Sequence, residues 1–288
     1  MTKLGVITDG ISRDFEHALK ALVAAGLEYA ELQFVWDKEV GDLSGAEIAK
    51  VKQLMDVHGV RASSVSRYLF GRLSVLDTAV GDPAHQREME ALKRCIATAQ
   101  TIGAPLVRVQ SFRKEMILFG GGGFEAWIPT LHAWDKLVAL LAPAVALAES
   151  EGITLVVETA NSGMVNSAYL ARKLVDAHQS PHLRVLWDPG NGLYCNESAV
   201  PEGLESLAGG YIGHVHVKDQ RVSIRAATIE SCRLGDGQMA PMLKPLAEGL
   251  KREGYEGVIS FESVYRPEGG LFEDGFRASV GLFKELFG

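Results

Sequence analysis

The residue pattern predicts an α/β fold, a (β/α)8 TIM barrel forming a single domain over residues 1–288. Three observations carry that prediction. Short β-branched runs recur eight times along the chain. Stretches with apolar residues at the 3.6 period separate most of them, so the repeat is strand, helix, strand, which implies right-handed βαβ units and a parallel sheet. The C-terminal ends of the last four runs are rich in carboxylate and imidazole, and those ends are where a barrel gathers its functional groups. Eight units fit a closed barrel better than an open doubly wound sheet, the alternative arrangement.

The eight predicted strands are Leu4–Thr8, Tyr29–Val35, Ala62–Ser66, Leu106–Gln110, Thr154–Thr159, Arg184–Trp187, Ile212–Val217 and Val258–Phe261. Phe15, Leu19, Leu22 and Val23 form the inward stripe of the first helix, and Ile48, Val51, Leu54 and Met55 that of the second. Ser44 with Glu47 makes a capping box before the second helix, and Asp82-Pro83 supplies an N-cap and first-turn proline for the third. Gly26, Gly59 and Gly103 follow helix ends. Two long stretches read as loops at the functional face: Ser111–Trp127, with the tetraglycine Gly120–Gly123, and the segment from Val217 to a helix near Met242–Lys251. The tetraglycine reads as plain loop or a lid. No Gly-Lys-Ser/Thr follows it, which excludes a nucleotide P-loop.

A net charge of −7 argues against a polyanionic partner, since nucleic-acid binding rests on Lys and Arg neutralising phosphates. The start of the chain lacks the apolar stretch and cleavage site of a secretory signal, and no run approaches the roughly 18 apolar residues a membrane span needs. Cys95, Cys195 and Cys232 are odd in number, widely spaced and never in a CxxC pair, so neither a disulfide framework nor a thiolate zinc site is expected. These features predict a cytoplasmic protein with no nucleic-acid or membrane partner.

The fifth strand ends Val157-Glu158-Thr159, the sixth Trp187-Asp188-Pro189, the seventh His214-Val215-His216-Val217-Lys218-Asp219, and the eighth Phe261-Glu262-Ser263. Three anionic groups at the end of an apolar barrel repel one another and lose hydration unless a cation sits between them. A strand-end carboxylate taken singly often caps a helix or pairs with Arg, but four consecutive strands point to one divalent metal held by Glu158, Asp188, His216 and Glu262. His214 and His216 share a strand face. His216 lies nearer the rim, and His214 is expected as a buried, hydrogen-bonded histidine. One nitrogen and three carboxylates suit Mn2+, Mg2+ or Co2+, with Zn2+ also compatible. Other rim residues that could meet a substrate are Glu31 and Gln33, Arg67, Gln110, Asn161, Lys218 and Arg266; Glu31 could instead form an ion pair inside the rim, and Lys218 with Asp219 a structural pair. Trp36, Trp127, Trp134 and Trp187 are expected to pack, with Trp36 placed to stack on a sugar face.

Over essentially its whole length the sequence resembles the xylose-isomerase-like barrels, which include sugar isomerases and epimerases, dehydratases and type IV apurinic endonucleases. The resemblance rests on Val157-Glu158-Thr159, Trp187-Asp188-Pro189-Gly190-Asn191, Gly213 to Asp219, Leu234-Gly235-Asp236-Gly237, and Gly254-Tyr255-Glu256-Gly257 leading to Phe261-Glu262. It implies the same four metal ligands, with Glu158 and Glu262 as base and acid on opposite faces of a substrate carbon, and a metal-stabilised enediolate. A homo-oligomer, dimer or tetramer, is implied as well.

The departures concern the substrate. Asn191 stands where the epimerases carry a histidine, and their substrate-binding glutamate has no counterpart among Asn161–Met164. Their loop arginine corresponds to Arg221 or Arg225. The three-zinc nucleases need histidines where Ser66-Arg67, Gln110-Ser111 and Asn191 stand, which argues against DNA repair. The leading expectation is therefore a metal-dependent isomerase or epimerase of a keto-sugar or polyhydroxy compound. A lyase, either dehydratase or decarboxylase, is the runner-up, because the same anion can eliminate. A non-catalytic sugar-binding barrel is the third reading.

Overall fold

The computed structural model describes residues 2–115 and 132–288. Eight parallel strands close in the order β1-β12-β9-β8-β7-β6-β5-β2. They are β1 (Lys3–Ile7), β2 (Tyr29–Leu32), β5 (Arg61–Val65), β6 (Leu106–Val109), β7 (Thr154–Glu158), β8 (Leu183–Trp187), β9 (Ile212–Val217) and β12 (Val258–Phe261). The seam is the parallel pairing of first and last strands, Lys3 with Val258 through Val6 with Phe261. All eight predicted strands are therefore present in the predicted topology.

The helices between them lie outside the ring. They include α1 (Phe15–Ala24), α2 (Gly45–His58), α3 (Pro83–Ile102), α4 (Ala133–Glu151) and α5 (Ala168–His178). After β8 come the short α6 (Pro189–Gly192) and α7 (Leu204–Ser206), then α8 (Ala240–Arg252) and α9 (Phe272–Phe287). Their apolar faces and the outward faces of the strands form one continuous core, in which Phe261 stacks against Phe276 and Phe283 at centroid distances of 6.3 and 5.5 Å. Ser44 and Glu47 complete the capping box of α2, and Gly59 ends that helix at φ 66°, in the left-handed region that suits glycine.

Three sequence expectations are corrected. Val23 is 44% exposed although Phe15, Leu19 and Leu22 are buried. At 100° per residue it lies about 80° from Phe15, on the flank of the buried stripe. The second strand stops at Leu32, where a turn carries Phe34–Val35 away to pair with Lys38–Glu39 as the antiparallel β3 and β4. The segment after Val217, expected to be irregular, forms an antiparallel hairpin of β10 (Asp219–Ser223) and β11 (Thr228–Cys232). The tetraglycine and Trp127 lie outside the described residues.

Candidate metal centre

The functional groups reach the mouth because inward-facing residues alternate along each strand. Glu158 is the last residue of β7, Asp188 and Glu262 directly follow β8 and β12, and His216 lies one residue before the end of β9. One ligand atom from each of the four lies within 4.8 Å of the others. Glu158 and Asp188 are buried, His216 is fully buried, and the Glu262 side chain is 17% exposed, so the cluster opens to solvent on the Glu262 side. The four residues expected to meet do meet.

The environment of His216 defines which atom faces the cluster. Its Nε2 donates to the Glu31 carboxylate, at 2.9 and 3.1 Å to the two oxygens. Its Nδ1 is buried without a hydrogen-bond partner and lies 3.8 Å from a Glu158 oxygen and 3.7 Å from a Glu262 oxygen. A buried orphan nitrogen aimed between two carboxylates fits a metal-binding position, since such an atom otherwise loses hydration with no return.

Each carboxylate is also held from the side. Glu158 Oε2 accepts from Arg108 Nη1 at 3.1 Å and from Gln110 Nε2 at 2.5 Å. Lys218 Nζ reaches Asp188 Oδ2 at 2.7 Å and Glu262 Oε2 at 2.8 Å. Asp188 is the N-cap of α6, and Asn191 inside that helix anchors it: the Asn191 Nδ2 donates to Asp188 Oδ2 at 2.8 Å and its backbone N–H to Oδ1 at 3.2 Å. Burial raises the Asp188 carboxyl above its ordinary range, with Lys218 opposing. Burial would raise Glu262 too, but Lys218 and His216 outweigh it and hold that carboxyl low. For His216 burial disfavours the charged form, yet the Glu31 charge prevails and the imidazole is pushed up to about 9.

A charge count agrees with the geometry. Glu31, Glu158, Asp188 and Glu262 supply four negative charges, and Arg108 and Lys218 return two. Once an ion takes the place of the His216 Nδ1 proton and leaves that imidazole neutral, the remaining two match one divalent cation.

The other sequence candidates are distributed unevenly. Gln110 and Lys218 stand against the carboxylates of the cluster, and the Gln110 Oε1 atom has no protein partner. Glu31 does not line the mouth: it is fully buried beneath the cluster, where His214 Nε2 at 2.7 Å and Ser66 Oγ at 2.5 Å complete its contacts. That placement realises its alternative as an internal ion pair. Arg221 and Arg225 are exposed on the β10–β11 hairpin, and Arg221 Nη2 donates to the Asp236 carbonyl, so the hairpin does not bring either to the cluster. Arg67 is engaged by Asp42 at 2.7 Å, and Arg266 by the Gly270 carbonyl. Lys50, not a ligand, covers the Trp36 ring, at 5.1 Å.

Arg108 escaped the sequence reading. It sits mid-strand, two residues before Gln110, and therefore shares its inward face; strand alternation marks it, although it lies below the rim.

A family model, Xylose isomerase-like TIM barrel, matches residues 19–286. The chain belongs to the xylose isomerase-like TIM barrel family. Among curated members of related sequence, an L-ribulose 3-epimerase of Mesorhizobium japonicum is 25% identical over 254 residues, covering 87% of this chain and 75% of that protein. Among solved structures, an L-ribulose 3-epimerase superposes with a TM-score of 0.72 at 18% identity, over 100% of this chain and 95% of the other. A D-psicose 3-epimerase from Clostridium cellulolyticum H10, solved with D-tagatose, gives 0.71 at 14% identity, over 99% of each chain. At those identities the structural likeness speaks for the shared xylose isomerase-like fold.

Proposed function

We propose that this member of the family is an enzyme that isomerises or epimerises a keto-sugar or related polyhydroxy compound, with Glu158 and Glu262 exchanging a substrate proton. The observation that carries the reading is the placement of these two carboxylates beside His216 Nδ1, at 3.8 and 3.7 Å, each braced by a cation of its own. The similarity to an L-ribulose 3-epimerase supports the substrate class.

Glu158, Asp188, His216 through Nδ1, and Glu262 would hold one divalent ion, with Mn2+, Mg2+ or Co2+ the best match to the donors. When bound, the ion supplies Lewis-acid polarisation of a substrate carbonyl, which makes the neighbouring C–H bond acidic. The chain's own residues do the rest. One glutamate removes the proton from carbon and the other returns one from the opposite side, which inverts the centre; return to the neighbouring carbon would instead isomerise the sugar. Arg108 and Gln110 keep Glu158 in a fixed orientation, and Lys218 does the same for Glu262. Gln110 Oε1 offers an acceptor to a substrate hydroxyl, and Asn191 holds Asp188 in place where related epimerases carry a histidine. Arg221 and Arg225 reach substrate only if the hairpin folds inward on binding, which assigns them to loop closure. A cytoplasmic, homo-oligomeric enzyme goes with this reading, and the three cysteines are unpaired. Among the described residues, no helix is long and apolar enough to cross a membrane.

The test is metal analysis followed by a ketose panel that includes L-ribulose and D-psicose, assayed in deuterated water with the Mn2+-loaded protein. About one divalent ion per chain, deuterium at the carbon beside the carbonyl, and its loss in Glu158→Gln and Glu262→Gln support the proposal. Dehydrated or decarboxylated product would move the chain to the lyase reading. Absence of metal binding at saturating Mn2+ would overturn both.

A further inference from the structure

Glu31 is a fully buried carboxylate on β2, across the barrel from the strand that carries His216, and three groups converge on it. His216 Nε2 lies within 3.1 Å of both its oxygens, His214 Nε2 is at 2.7 Å, and Ser66 Oγ donates at 2.5 Å. His214 is in turn held by Ser260 Oγ at 3.1 Å, so the carboxylate cannot rotate without breaking its contacts to both histidines of β9 and to Ser66 at the end of β5. With no side-chain exposure it is shut off from solvent.

A metal-binding histidine needs its free nitrogen unprotonated and its ring correctly turned, and both are set by the partner of the other nitrogen. Here the Glu31 carboxylate accepts only, so it requires a proton on Nε2 and leaves Nδ1, the orphan atom beside Glu158 and Glu262, as the nitrogen available to a cation.

We propose that Glu31 is a positioning residue that fixes the ring orientation and tautomer of His216, so that the metal affinity of a site at the ends of β7, β8, β9 and β12 depends on a residue of β2 that never contacts the metal. This rests on the metal-centre reading above. In effect the N-terminal half of the barrel supplies the brace and the C-terminal half the ligands.

The experiment is Mn2+ titration of the full-length, chelator-treated protein by calorimetry, with free Mn2+ followed by electron paramagnetic resonance and thermal unfolding recorded for every variant. Glu31→Gln keeps the volume but presents a donor to a histidine that itself donates; it should bind Mn2+ about 10–100-fold more weakly, the range typical of such partners. Glu31→Asp keeps the charge and should recover part of that loss. If Glu31→Gln does not fold, Ser66→Ala decides instead, because it removes one anchor of the carboxylate and should weaken Mn2+ binding several-fold with little change in unfolding temperature. A Glu31→Gln protein that folds and binds Mn2+ within twofold of wild type would overturn the proposal, as would unchanged affinity in both Ser66→Ala and Glu31→Asp. Failure of the wild type itself to bind Mn2+ would instead defeat the metal centre, and is seen before any variant is compared.

Discussion

Asp219 gives the most direct test of how the mouth is built. It is 1% exposed, and its carboxylate accepts four backbone N–H groups: Gln220 and Met239 on Oδ1, both at 2.9 Å, and Gly235 and Gly237 on Oδ2, at 3.0 and 2.9 Å. The loop from 233 to 239 thus folds around one side chain, so closely that a Cβ on Gly237 would lie 2.2 Å from Asp219 Oδ1. In Asp219→Asn the amide nitrogen replaces one oxygen, leaving two N–H groups facing a donor. A buried donor left unsatisfied costs about 1–3 kcal/mol, and because the two share one site the costs do not simply add, so about 3 kcal/mol is expected. For a chain of this size that corresponds to a fall of roughly 6 °C in Tm. Thermal unfolding by circular dichroism measures it, and amide hydrogen exchange at Gly235, Gly237 and Met239 should accelerate in parallel. A Tm within about 1 °C of wild type, with unchanged exchange, would refute the claim that this carboxylate organises the loop.

Removing the ammonium in Lys218→Met leaves Asp188 and Glu262 facing each other, so the chelator-treated variant should lose on the order of 3 kcal/mol of stability; Mn2+ should then raise its Tm more than that of wild type, read by thermal shift with and without metal. Lys38, with the Ser44 backbone and hydroxyl, holds Glu47 down to about 2 against an ordinary value of 4.5. Because the folded value is the lower one, the cap stabilises above about pH 4.5 and the contribution is lost as pH falls toward 2; the Tm difference between wild type and Glu47→Gln should therefore close over that interval. Burial pushes the Cys95 thiol up to about 12 and those of Cys195 and Cys232 to about 11, so a disulfide reagent at pH 8 should modify the native protein slowly and all three thiols rapidly after unfolding. Fast modification of Cys95 in the native state would contradict its packing.

The barrel and the convergence of four rim groups were legible because both are written as local signals. Alternating apolar positions mark strands, and a carboxylate where such a run stops marks the rim, so Glu158, Asp188, His216 and Glu262 could be named together. What stayed hidden depends on contacts between distant strands. Whether Glu31 faces a substrate or a histidine is decided by the width of the barrel interior, and nothing near position 31 encodes the arrival of His214 and His216 from β9. Arg108 reads locally as an ordinary strand residue until the inward face of β6 is known. The hairpin Asp219–Cys232 carries a weak alternation, Val222 and Ile229 on one face, which composition alone leaves as loop. Val23 failed for the opposite reason, since its apolarity met the helical period but its angle placed it at the edge of the stripe.

The pairing of β1 with β12 has a consequence for how the chain assembles. Glu31 lies on the strand beside β1, whereas His216 and Glu262 lie on β9 and β12, so the contact between Glu31 and His216 spans the closing seam. A chain whose C-terminal half has formed but whose seam is open holds all four ligands yet lacks the brace that turns one of them. If Glu31 braces His216 as proposed, the capacity to take up metal is tied to closure of the ring.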